Sequence, residues 1–171
     1  PAPATTVVPP RPAERVITGD VFAQRQGFGP RFKALLIDGV LLFGLMVLFG
    51  FLLGTTWSPP LIFSGYYLLE VLFGYTPGKR MAGLVVLNED GTKATVETLR
   101  KRWLLKTGIT STSMLLMQVA MAFSVSTILI TLLQLPSLLV GLGMLSIFGA
   151  TRQTFYDKMA KTAVFAKQHP G

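Results

Sequence analysis

Between Ile109 and Ala150 the chain carries no charged residue. Drawn out as one helix, that run would be about 60 Å long, twice the hydrocarbon thickness of a bilayer. It must therefore fold back and cross twice. Two places suit the break, Ser124 to Thr127 or Gln134-Leu135-Pro136. The first gives two spans of more even length and leaves Pro136 as a kink; the second follows the proline signal. Two more apolar stretches come earlier. Ala34 to Gly54 is long enough to span a membrane, and Ser58 to Tyr75 is shorter. Pro59 and Pro60 suit the first turn of that second helix, where their missing N–H groups are not needed. Only a few residues, Thr55 to Pro60, connect the first pair. The expected fold is an all-α membrane protein with spans near 34–54, 58–75, 108–126 and 129–150, arranged as two hairpins.

Charge placement supports this count. The chain is 50% hydrophobic and only 14% charged, with a mean hydropathy of +0.53. Soluble domains seldom combine these values. The net charge of +8 would suggest nucleic acid in a soluble protein. Here basic residues flank apolar spans and face anionic lipid, so no nucleic-acid partner is expected. Arg11, Arg15, Arg25, Arg31 and Lys33 precede the first span. Lys79, Arg80, Lys93, Arg100, Lys101, Arg102 and Lys106 lie between the second and third. Arg152, Lys158, Lys161 and Lys167 follow the fourth. Four spans put all of these on one side, so both termini are expected in the cytoplasm and the protein in a bacterial inner membrane. There is no cysteine, and His169 is the single histidine. Thiol chemistry, a histidine triad and a metal centre are thereby disfavoured, and no cofactor motif is present. No signal peptide is visible, and a start at Pro1 is compatible with truncation or processing.

The segments outside the spans have their own signals. Residues 1–30 begin with a proline-rich stretch and read as a disordered or extended tail. Residues 165–171 form a short C-terminal tail. Between spans two and three, apolar residues flank Glu89-Asp90-Gly91, a turn signal that predicts a small cytoplasmic β-hairpin. From Glu97 the pattern becomes helical, with Leu99, Trp103 and Leu104 spaced for one face and Thr95 as N-cap.

Two acids interrupt the apolar stretches: Asp38 in the first and Glu70 in the second. A carboxylate in a span costs about 2.5–3.5 kcal/mol on insertion scales, so each needs a partner, a wet site or a proton. Arg31 lies two helical turns before Asp38 on the same face, about 10 Å away, and a long arginine can reach inward. The topology puts Asp38 and Glu70 at similar depth, which would raise one pKa or recruit a cation between them. The alternative is that each acid is locked to an arginine or lysine and only fixes helix packing. Thr76-Pro77-Gly78-Lys79-Arg80 is a compact turn directly below Glu70, so Thr76, Lys79 and Arg80 are candidate supporting groups. The upstream glycine of a phosphate loop is missing, which excludes nucleotide binding there. Asp157 sits among Arg152, Lys158 and Lys161 and on composition alone reads as an interfacial residue.

Three separated motifs then resemble one family. They are Arg31-Phe32-Lys33-Ala34 with Ile37-Asp38; Tyr67 and Glu70 followed by Thr76-Pro77-Gly78-Lys79-Arg80-Met81-Ala82-Gly83; and Tyr156-Asp157 through Thr162-Ala163-Val164. Together they resemble the RDD family of integral membrane proteins, over about residues 31–164. That family is named for an arginine and two aspartates, which on this match are Arg31, Asp38 and Asp157. One departure is visible: the last motif commonly has histidine before its aspartate, and here Tyr156 stands there. The resemblance implies a multi-span inner-membrane protein in which Asp157 joins a polar cluster with Arg31 and Asp38. It implies no single activity, since cation/proton antiport and scaffold roles have both been attributed to members.

Two functions are therefore expected. The first is proton-coupled transport of a monovalent cation, with Asp38 and Glu70 as exchange sites tuned by Arg31 and Asp157; four short spans would then need to oligomerise. The second is a non-catalytic accessory or scaffold subunit. Gly39, Gly44, Gly50 and Gly54, with Gly141, Gly143 and Gly149, would permit close contact with other helices. An enzyme is not expected.

Overall fold

The computed structural model describes residues 16–17, 19–53 and 58–167. The expected tail segment 1–15, the connection at 54–57 with Gly54, and His169 in the C-terminal tail lie outside the described residues.

The molecule is mostly helical with one small sheet. Helix α1 runs Phe28–Leu53, α2 Ser58–Phe73 and the short α3 Pro77–Met81. Strand β1 is Leu84–Asn88. Helix α4, Val96–Trp103, passes through a π-helical turn, Leu104–Gly108, directly into α5, Ile109–Ala122. Helix α6, Thr127–Gly143, continues as a 3₁₀ turn, Met144–Phe148; α7, Phe155–Met159, and strand β2, Thr162–Ala166, close the chain. Two helical stretches are long and apolar enough to cross a membrane, Phe28–Leu52 and Thr127–Phe148; Pro59–Phe73 is apolar but shorter. Val40, Phe43 and Phe51 on α1 and Leu138 and Leu139 on α6 point outward. Helices that are apolar all round belong in lipid or a large core.

The fold-back in the charge-free run falls at the serines, not at the proline. Ser124 adopts a left-handed φ of 53°, and the Ser126 hydroxyl caps α6 by accepting from the Leu129 N–H at 3.5 Å. Pro136 stays inside α6. A proline costs a membrane helix less than a soluble one, because neighbouring groups can satisfy the freed carbonyl.

The expected local hairpin is not formed. β1 pairs antiparallel with β2 instead, with Leu84 opposite Ala166, Val86 opposite Val164 and Asn88 opposite Thr162. The Glu89-Asp90-Gly91 turn does form: Asp90 Oδ1 accepts from the Thr92 N–H at 2.9 Å, and Gly91 has φ +79°. The second arm of a hairpin is missing because Thr95 already caps α4, accepting from the Thr98 N–H at 3.2 Å. Thr162 to Phe165 are by contrast fully buried. A strand that buries both faces outcompetes one that ends after two exposed residues.

This sheet joins the packed elements. Val86, Leu84 and Val164 pack with Ala34 of α1, Val71 of α2 and Leu99 of α4 in one core. On the other side Ile17 packs with Leu87, Ala163 and Phe165. Its N–H and that of Val16 donate to Gly91 O at 3.2 and 3.1 Å, and Arg25 bridges Phe165. The folded unit therefore begins before Arg31, and part of the segment expected as a tail is docked on the sheet.

Candidate functional site

The floor of the helical bundle is a buried set of charges. Six elements supply them: Arg31 and Asp38 come from α1, Glu70 from α2, Lys79 from α3, Arg102 from α4, the half-buried Lys106 from the π-helical turn and Asp157 from α7.

Asp157 is fully buried. Its Oδ2 accepts from Arg31 Nη1 at 2.5 Å and its Oδ1 from Arg102 Nε at 2.6 Å. Thr154 completes the setting through a capping box: its N–H donates to Asp157 Oδ2 and its hydroxyl accepts from the Asp157 N–H, each at 3.3 Å. Burial works against the charge on this carboxyl, but the Arg102 and Arg31 guanidiniums outweigh it and hold it well below the usual range.

Glu70 is the second node. Lys79 Nζ donates to its Oε2 at 2.6 Å, Arg102 pairs with its Oε1, and Lys106 Nζ lies 3.8 Å from Oε2. Burial pushes the Lys79 ammonium down to about 7 and nearby Lys106 adds to that, while the Asp157 carboxylate works the other way. Arg102 thus joins both acids, and its guanidinium also lies 5.4 Å from the Tyr156 ring centre. Tyr156 therefore presents an aromatic face to the central cation.

Asp38 is held differently. Oδ1 accepts from the Tyr66 hydroxyl at 2.5 Å and the Gly78 N–H at 2.7 Å, and Oδ2 from the Thr76 hydroxyl at 2.5 Å. No ion pair to Asp38 occurs within 4 Å among the described residues. Three neutral donors stabilise the carboxylate in place of the expected arginine. Arg31 is engaged elsewhere: Nε donates to Gln26 O at 3.1 Å and Nη2 to Arg152 O at 2.8 Å, besides the bond to Asp157. The shared helix face of Arg31 and Asp38 is real, but their partners lie on α7 and α2–α3.

These contacts explain the turn after α2. Thr76 caps α3, its oxygen accepting from the Lys79 N–H at 3.3 Å while its proton goes to Asp38. A Cβ on Gly78 would lie 2.4 Å from Ala34 O and 2.6 Å from Asp38 Oδ1, so only glycine lets α3 dock on α1.

Residues 25–161 match the RDD family. The chain belongs to the RDD family. No curated protein and no solved structure matches it. In this RDD protein Arg31 and Asp157 are in direct contact, while Asp38 is bonded to α2 and α3. Family and apolar helices together mark a membrane protein.

The sequence reading also named Glu70, Thr76 and Lys79, which are in the site, and Arg80, which is not. Arg80 is exposed and lies 5.8 Å from the Tyr75 ring centre. It missed Arg102 and Lys106. Leu99, Arg102, Trp103 and Lys106 recur at the spacing of one helix face, which was the available signal. Among the described residues no group of three or more His, Cys, Asp or Glu side chains could hold a metal ion.

Proposed function

We propose that this RDD protein is a four-span, non-catalytic accessory or scaffold subunit of the cytoplasmic membrane, working among lipids and other membrane proteins. One observation carries the proposal: each buried acid is already engaged, Asp38 by three donors, Glu70 by Lys79 and Arg102, Asp157 by Arg31 and Arg102. An exchange site needs a carboxylate that can release its partner, and ion pairs of this kind fix elements instead. Four cations beside the acids also repel an incoming cation. Outward-facing leucines on α6 offer surface to lipid or to partner helices.

The carrier reading keeps one support: among the described residues no cation pairs with Asp38 within 4 Å, so no ion pair would have to break there. The two readings separate in liposomes holding the purified protein alone. The scaffold proposal expects no cation movement against a pH gradient above that of empty vesicles; flux would overturn it. Asp38→Asn adds resolution. An asparagine can keep its carbonyl on Tyr66 and Gly78 while its amide donates to Thr76 Oγ1, which can turn to accept. The variant should stay folded and lose about 2 kcal/mol or less. If wild-type flux exists and this folded variant lacks it, Asp38 is the carrier.

Topology is tested with single cysteines, which this cysteine-free chain allows. Ser124→Cys, in the α5–α6 turn, should react with an impermeant maleimide from outside intact cells. Lys93→Cys should react only after permeabilisation. Labelling of both from outside would contradict cytoplasmic termini.

A further inference from the structure

A cavity of about 70 Å³ lies among these groups. That is roughly the liquid volume of two waters. Its wall carries Arg31, Lys79, Arg102 and Lys106 but a single carboxylate, Asp38. Asp38 already accepts three hydrogen bonds, and Glu70 and Asp157 are not part of the wall. Counting the whole network, four basic side chains face three carboxylates, so with every group charged one positive charge is uncompensated. Lys106 is where the surplus falls. Its ammonium is 3.8 Å from Glu70 Oε2, beyond hydrogen-bond distance, and 4.2 Å from the Tyr67 ring centre.

We propose that this cavity binds a small monovalent inorganic anion, of chloride or nitrate size, with Lys106 as its principal partner. A surplus cation in a buried site is costly unless something neutralises it. An anion seated against Lys106 cancels the excess and supplies its ammonium with a hydrogen-bond acceptor. The volume is too small for a sugar phosphate. Tyr67, Thr154 and Tyr156 with the apolar Ala34, Leu35, Met144 and Val164 form the rest of the wall, and the small volume favours ions that lose water easily over strongly hydrated sulfate or fluoride. The inference is independent of the scaffold proposal, since a carrier would need the same charge balance.

The test is thermal unfolding of the purified full chain in detergent at neutral pH and fixed ionic strength, with gluconate replaced stepwise by chloride. Tm should rise saturably by several degrees, and nitrate or bromide should act like chloride. Lys106→Gln should weaken the apparent chloride affinity at least tenfold, whereas exposed Lys93→Gln should leave it unchanged. A Tm indifferent to chloride would mean that the surplus is removed by loss of a lysine proton, and would overturn the proposal. So would an equal response in Lys106→Gln and wild type. A second measurement needs no variant: chloride NMR linewidths should broaden with the wild-type protein and narrow again when nitrate is added. Absence of broadening that nitrate can displace would also overturn it.

Discussion

Arg102→Met should yield little folded protein. Arg102 is 3% exposed and joins Asp157 and Glu70, so its removal weakens both nodes at once. Breaking a buried pair by deleting one partner costs about 3–5 kcal/mol, because the other charge stays in the dry interior. Arg31 still faces Asp157 and Lys79 still faces Glu70, so the loss falls short of two full pairs. Against a typical net stability of about 5–15 kcal/mol, this is enough to remove much of the folded population. Arg100→Met is the control. Arg100 is exposed on the same helix, and its change should stay within about 0.5 kcal/mol. Size-exclusion profiles and melting curves in detergent decide it. An Arg102→Met protein that melts with the wild type would show that the two nodes do not depend on their shared arginine.

Gly78→Ala should be nearly as damaging, although it adds one methyl group. The new carbon would lie 2.4 Å from the carbonyl oxygen of Ala34 and 2.6 Å from Asp38 Cγ and Oδ1. One obstacle is helix backbone and the other is a side chain pinned by three bonds, so neither yields cheaply. Helix α3 would have to retreat, breaking the Gly78 N–H bond and drawing Thr76 away from Asp38. Overpacking alone costs about 1–3 kcal/mol, and the lost hydrogen bonds to a buried carboxylate bring the total to about 3 kcal/mol or more. Gly141→Ala, on α6, meets nothing within 4 Å and should be close to neutral. Equal melting temperatures for the two variants would remove the α1–α3 contact from the account.

Much of this was legible in the chain because membrane burial constrains charge so strongly. Asp38 and Glu70 stood out as polar groups in apolar helices, and the family motifs tied Asp157 to them. The partners were harder to read. The spacing of Arg31 and Asp38 fixes only that they share a helix face; which group each meets depends on how α2, α3 and α7 approach. Asp38 turned out to be satisfied by a tyrosine, a threonine and a backbone N–H, and a backbone donor has no side-chain signature. Arg102 lay inside a run of basic residues, Arg100-Lys101-Arg102, where only the periodicity from Leu99 separates the buried member from the exposed ones. The pairing of β1 with β2 joins segments separated by nearly half of the chain, and local turn chemistry pointed to a nearer partner. The serine break before α6 was one of two open positions, and a left-handed serine is not announced by sequence.

The claim beneath the whole account is that the buried charges act as a lock between elements. A double-mutant cycle on Arg31 and Asp157 tests it most directly, with unfolding free energies measured in one detergent for the wild type, Arg31→Met, Asp157→Asn and the pair. The account predicts that the double variant loses clearly less than the sum of the two single losses, with a coupling of about 1–3 kcal/mol. Each single change strands a charge that the double change removes. Additive losses, or single variants as stable as the wild type, would contradict the lock.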